Sequence, residues 1–415
     1  MFANMKWSGA AGTAILVLIA GCGGSSGGVT APPPGEQPPE DPGTGPAVCT
    51  DGAAGDYSCS GIDLRSNLPL TDMGGTTGND IWGWVDTQTG NEYALMGMTN
   101  GTAFVDVTDP ESPVYLGILP TATVSSPWRD IKVYQDHAYI VADAAGAHGM
   151  QVFDLTRLRD VTTAQDFIAD AVYSDFDNAH NLAINEDTGF AFVVGTNTCA
   201  EGLHMIDITT PNNPLFAGCH DTAEVHDAHC VSYVGPDADY AGAEVCANSA
   251  KDRVEFVNVS NKSSTVTISS IIYPQLGFVH QGWLTEDQRY LFIGDESDET
   301  SFAVPTRTHI IDVSDLDAPV YVSAYEASTL SIDHNLYVLG NRVYQANYTS
   351  GLRVLEIGNL ANGELTEVAF FDTLPDSDAV DFDGAWSVYP FLPSGNIIVS
   401  DITNGLFVLT IQPSG

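Results

Sequence analysis

One short pattern recurs seven times along this chain and limits what it can fold into: an apolar strand ending in an acidic or polar residue, often with a glycine before it. The copies are Gly101–Asp106, Gly149–Asp154, Gly202–Asp207, Arg253–Asn258, Arg307–Asp312, Gly351–Glu356 and Gly405–Thr410. A period of about fifty residues belongs to propellers rather than to helical solenoids. Other strands flank the copies, such as Tyr93–Gly97, Ala138–Ala142 and Tyr290–Gly294 before them and Val114–Leu119 and Val320–Ala324 after them. With an inner strand added, each repeat makes one four-stranded antiparallel blade, and the fold class expected is an all-β, seven-bladed β-propeller. Helical periodicity is nowhere sustained.

The last copy stops almost at the end of the sequence, so the seventh blade lacks an outer strand of its own. Residues Ile62–Leu70 resemble an outer strand and precede the first inner strand. They are expected to complete the last blade and remove exposed sheet edges. This divides the chain into a signal peptide (1–21), a tether (22–47), an N-terminal cap and closing strand (48–78), and propeller blades (79–415).

The first segment is read from Lys6, the apolar run Ala10–Ala20 and the small residues before Cys22. The run is short for a membrane span and has the form of a secretory signal. Small residues before a cysteine fit a lipoprotein signal, so Cys22 is the expected lipidation site and the membrane an expected partner through that anchor. Gly23 after it favours the outer membrane, or a cell-surface location, of an exported protein. Residues 23–47 are rich in Gly, Pro and Ser and suit an extended tether.

Six further cysteines, Cys49, Cys59, Cys199, Cys219, Cys230 and Cys246, suit disulfides in an exported chain. Several pairings are formally open; sequence proximity favours Cys49 with Cys59, Cys199 with Cys219 and Cys230 with Cys246. A zinc site is the weaker reading, because no CxxC spacing occurs. The chain has 13 Lys+Arg against 54 Asp+Glu, for a net charge of -41. That excess repels phosphate backbones and argues against a nucleic-acid partner. It suits solubility in a saline medium or, alternatively, the attraction of cations.

A second repeated pattern opens the inner strands: Asn79-Asp80, Arg129-Asp130, His180-Asn181, His226-Asp227, His280-Gln281 and His334-Asn335. The seventh blade departs from it, with Gly384 or Trp386 at the histidine position. Innermost strands line one channel and run the same way along it, so equivalent positions form a ring. Four imidazoles, one guanidinium and a set of carboxylates and amides are therefore expected at one channel mouth. Imidazole with carboxylate suits a divalent transition metal such as Zn, Mn, Cu or Fe; carboxylate and amide alone suit Ca or Mg. His229 is placed one layer deeper, as a further ligand or orienter. Asp130 or Asp227 is the candidate catalytic base and Arg129 the candidate holder of an anionic substrate group. The competing reading is structural, with these pairs bonding each blade to the next.

Smaller acidic groups are read as turns. Asp295-Glu296-Ser-Asp298-Glu299 is expected to be a solvated acidic loop, with Ca binding as the alternative, and Asp376-Ser-Asp378 and Asp381-Phe-Asp383 lack EF-hand spacing. Trp82, Trp283 and Trp386 are expected to pack between blades. No GxSxG elbow between a strand and a helix, HExxH helix, phosphate-binding Gly loop or Rossmann fingerprint occurs, which removes support for serine-nucleophile, zincin and nucleotide-dependent chemistry; no nucleotide or organic cofactor is expected.

Several longer motifs together resemble the choice-of-anchor B proteins, bacterial surface proteins with LVIVD-type propeller repeats. They are Asp177-Asn-Ala-His-Asn-Leu182, Gly195-Thr-Asn-Thr-Cys199, Leu203–Ile208, His226-Asp-Ala-His-Cys230, His280–Tyr290, Asp333-His-Asn-Leu-Tyr337 and Gly384-Ala-Trp-Ser387. The resemblance spans residues 48 to 412 and implies a common propeller body held at the surface by different anchors; it supplies no reaction. The function expected is a surface-anchored, monomeric propeller that binds a small molecule or an extracellular protein, with a divalent metal at the channel mouth as an option. The alternatives are a metal-dependent hydrolase or lyase, and an adhesion or structural protein.

Overall fold

A computed structural model describes residues 45–377 and 379–413. The signal segment, Cys22 and nearly all of the tether lie outside the described residues, as does Asp378. Ala47, expected to be tether, already forms a β-bridge with Leu64.

Seven antiparallel sheets of four core strands each follow one another along the described chain. Their innermost strands are Gly78–Val85, Arg129–Tyr134, Asn181–Asn185, Asp227–Ser232, Val279–Leu284, Asn335–Leu339 and Ala385–Tyr389, which we number as blades one to seven. Each recurring motif forms the third strand of its blade, from Gly101–Asp106 in blade one to Gly405–Ile411 in blade seven. The outer strand of blade seven is Ile62–Leu68, paired antiparallel with Gly405–Ile411 from Ile62 opposite Ile411 to Leu68 opposite Leu406. Closure of the ring is therefore made by the N-terminal segment.

The reason for a ring lies in the burial pattern. Strands such as Glu92–Met98 and Tyr290–Asp295 are buried on both faces, so each sheet needs a neighbour on either side. The hydrophobic clusters lie accordingly between blades rather than within them. One joins Ile81, Ala94 and Met96 of blade one to Ile398, Leu406 and Val408 of blade seven, and another joins Leu95 and Phe104 of blade one to Ile140 and Phe153 of blade two.

Exposed edges receive extra cover. Tyr57–Ser60 adds to the outer strand of blade six through Cys59 opposite Phe371, and Gln165–Asp166 runs parallel to Val114–Pro120 of blade one. The three disulfides are Cys49–Cys59, Cys199–Cys219 and Cys230–Cys246. The last ties the first strand of blade four to the second.

Candidate functional site

The inner strands deliver their side chains to the channel with the two-residue period of a β-strand. The first layer holds Asp80, Asp130, Asn181, Asp227, Gln281 and Asn335, and the next holds Trp82, Lys132, His229, Trp283, Tyr337 and Tyr389. Together they line a cavity of about 500 Å3. Above them, at the mouth, stand the residues that precede the first layer.

Four of those mouth residues are the predicted histidines, and they stand side by side. Ring centroids are 4.3 Å apart for His180 and His226, 4.5 Å for His226 and His280, and 4.4 Å for His280 and His334. Trp386 follows, 4.8 Å from His334. The sheet register shifts at His280 in blade five and at Trp386 in blade seven, so Trp386 rather than Gly384 takes the imidazole position.

Hydrogen bonds orient the imidazoles. His226 Nδ1–H donates to the His280 carbonyl at 3.1 Å and His334 Nδ1–H to the Trp386 carbonyl at 2.5 Å. His180 Nδ1 bonds the Asp143 carboxylate at 2.9 Å. With Nδ1 protonated, neutral His226 and His334 keep a bare lone pair on Nε2. Burial is the main cause that holds His280 and His334 down to about 3, each further opposed by neighbouring imidazoles, so both are neutral near pH 7.

Glu296 completes this group, and it was not identified from the sequence as part of it. Its Oε2 lies 3.6 Å from His280 Nε2 and its Oε1 3.7 Å from His334 Nε2. Tyr348 O–H donates to Oε1 at 2.7 Å. A usable signal did exist: Glu296 follows the second strand of blade five as Asp143 follows that of blade two, and both reach a histidine at the start of the next blade. Antiparallel neighbours bring the end of one strand beside the start of the other.

The first layer serves mainly to join blades. Asp80 accepts from the Ile131 amide at 3.0 Å, Asp130 from Leu182 at 2.6 Å and Gln281 from Leu336 at 3.0 Å. Asn181 and Asn335 donate to the carbonyls of His226 and Trp386. Asp130 is also paired with Lys132 at 2.5 Å. Burial would raise its carboxyl, but the Lys132 charge and the hydrogen bonds outweigh this and hold it below the usual range. Asp130 is thus committed to structure. Asp227 differs: its bond is to the Ala228 amide of its own strand, and burial, then the Asp130 charge, pushes its carboxyl up to about 7.

These roles make a stability prediction. Asp130→Ala leaves the largely buried Lys132 with only Asp80, 3.6 Å away, and orphans the Leu182 amide, and should cost about 3–5 kcal/mol. Asp227→Asn leaves the inter-blade bonds in place and should shift denaturant midpoints little. Equal losses from both variants would refute the division of roles.

Three other expectations change. Arg129 is buried, donating to the Met98 carbonyl at 3.2 Å and bonding His148 Nε2 at 3.3 Å, so its guanidinium is engaged between blades rather than presented to a substrate. His229 lies deeper, as expected, but accepts the Leu284 amide on Nδ1 at 3.1 Å and stacks on Trp283 at 3.9 Å. It belongs to the aromatic layer and not to the imidazole group at the mouth. Trp82 and Trp283 pack against the clusters between blades, as expected, but all three tryptophans, Trp386 included, are only partly buried and also line the channel. Trp82 and Trp283 form a collar with Tyr337, while Lys132 lies 4.6 Å over the Trp82 ring. Asp381 and Asp383 behave as turn residues, each accepting the amide that follows it.

No protein-family model matches the chain, and no curated protein does. Among solved structures it is similar to the β-propeller domain of Cps50 (Swd1) from Myceliophteria thermophila, with 9% identity, a TM-score of 0.53, and 85% of this chain and 100% of that one covered. A protein from Lactobacillus plantarum gives 13% identity and 0.52, covering 78% and 88%. A periplasmic gluconolactonase from Pseudomonas aeruginosa gives 11% and 0.49, covering 72% and 87%. The likeness shows the fold alone.

Proposed function

We propose that this chain is an exported, lipid-anchored propeller that binds a divalent transition metal at the mouth of its channel and, with it, a small ligand inside. The observation that carries the reading is an acceptor facing an acceptor. The lone pair of His334 Nε2 points at Glu296 across 3.7 Å, with His280 Nε2 3.6 Å from the other carboxylate oxygen. Their ligand atoms lie within 4.8 Å of one another. Two imidazoles and a carboxylate suit Zn, Mn, Fe or Cu rather than Ca. The hydrogen bond from His334 Nδ1 is the outer support that metal-bound imidazoles usually have.

The channel beneath is of small-molecule size, since such sites run to about 300–1,000 Å3. Its collar of Trp82, Trp283 and Tyr337 offers flat apolar faces, and Lys132 is the cation nearest them. The lipobox at Cys22 supports membrane attachment, and the motifs shared with choice-of-anchor B proteins support a surface location. Elemental analysis of chain purified without chelators is expected to find about one transition-metal ion per molecule. Metal-free protein that also fails to bind added Zn2+ or Co2+ at millimolar concentration would sink the proposal, leaving a proton on Glu296 as the group between the two acceptors.

A second reading, a metal-dependent hydrolase or lyase, is favoured by Asp227 alone. A carboxylate poised at about 7 in a cavity wall is suited to accept a proton in catalysis. If a substrate is found, its rate should rise with pH through about 7 as Asp227 ionises. Asp227→Asn should lower kcat by about 10²-fold with metal content unchanged. A wild-type-like pH profile in that variant would dismiss Asp227 as the base.

A further inference from the structure

The acidic loop between the second and third strands of blade five is not solvated. Asp298 and Glu299 open a short helix, Asp298–Phe302, whose first residues are buried. Asp298 is 0% exposed, Glu299 4% and Asp333, at the entrance to blade six, 2%. One ligand atom from each lies within 4.8 Å of the others.

Burial makes their bonding decisive. Asp298 Oδ2 pairs with Arg307, at 2.7 Å to Nε and 2.6 Å to Nη2. Asp298 Oδ1, both oxygens of Glu299 and both oxygens of Asp333 find no hydrogen-bond partner. The nearby Asp295 shows the contrast, since its oxygens accept from Tyr273 O–H and the amides of Gly277 and Phe278. Buried carboxylate oxygens left bare are costly, because nothing replaces the water they have lost.

The backbone makes room for this arrangement. A Cβ on Gly294 would stand 2.2 Å from Asp333 Oδ2, so any larger residue would push that carboxylate out of the group. Once ionised, the three carboxylates with one guanidinium leave two negative charges, the complement of a divalent cation.

We infer that Asp298, Glu299 and Asp333 form a buried calcium site, separate from the imidazole group and built from oxygen donors alone. Five bare oxygens on three carboxylates suit Ca2+, which takes about 6–8 oxygen ligands and accepts bidentate carboxylates. Mg2+ requires a stricter octahedron at shorter distances and takes fewer protein carboxylates. The ion joins the loop between the second and third strands of blade five to the entrance of blade six, and so braces the segments that carry Glu296 and His334.

The test uses the whole chain, with CaCl2 or EGTA as the only variable, in wild type, in the pair Glu299→Gln with Asp333→Asn, and in the pair His280→Ala with His334→Ala. Calcium about 100-fold above its Kd should raise the wild-type melting temperature by about 3–5 °C, with one calcium retained per chain after dialysis. The histidine pair should keep this response, which separates it from the channel metal. The Glu299/Asp333 pair should lose the response while still melting cooperatively. A wild-type melting temperature indifferent to calcium and EGTA, as protonated carboxyls would give, overturns the inference; so does an undiminished response in the Glu299/Asp333 pair.

Discussion

Replacing His280 and His334 together with alanine is expected to abolish stoichiometric transition-metal binding while the propeller stays folded. Two of the three candidate ligands disappear and Glu296 remains with only the Tyr348 hydroxyl. Loss of supporting outer residues alone typically costs about 10–100-fold in metal affinity, so loss of two donors should exceed about 100-fold. The fold should survive because neither imidazole belongs to an inter-blade hydrophobic cluster; the packing there comes from residues such as Leu336, Phe292 and Ile310. Glu296→Gln is the complementary variant, since it keeps the Tyr348 contact and removes the charge. Zn2+ titration followed by calorimetry reads both. Full stoichiometry and affinity in the double alanine variant would place the metal elsewhere, whatever the content of the wild type.

A chain that starts at residue 70 is expected to lose cooperative folding. It would lack Ile62–Leu68, leaving Gly405–Ile411 as an open edge with its row of unpaired backbone groups. Ile62 and Leu64 are 0% and 1% exposed within the blade six–seven cluster, and truncating either to alanine alone should cost about 2–5 kcal/mol. Asn67 also bonds the carbonyls of Asn404 and Leu406, at 2.9 and 3.2 Å. Closing the ring orders ends that are hundreds of residues apart at an entropic cost of only about 5 kcal/mol, which this many contacts can offset. Thermal denaturation with light scattering gives the measure. A sharp transition within a few degrees of the full chain, without aggregation, would show that closure is dispensable.

Much of the fold was readable because propeller blades are sequence repeats with a period-two core. The strand Gly101–Asp106 and its six counterparts announce the blade number, and Ile62–Leu70 announces its role by resembling an outer strand that the last repeat lacks. The four histidines were readable for the same reason: equivalent positions of repeated strands meet around an axis. The bonding partners were harder. Asp130 and Asp227 occupy the same place in their repeats, yet one holds a neighbouring amide and Lys132 while the other does neither. Only the packing of adjacent blades distinguishes them.

What the amino-acid order determined by itself is therefore periodic: seven sheets, a borrowed closing strand and a set of imidazoles at one end of the channel. What tertiary structure alone decided is aperiodic. Asp298 and Glu299, two and three residues after Glu296, turn away from water toward Asp333. Arg129 folds back between blades. The physical reason is desolvation. Whether a carboxylate in a loop is an ordinary surface charge or a group in need of a cation depends on what covers it, and that cover is supplied by chain dozens of residues away.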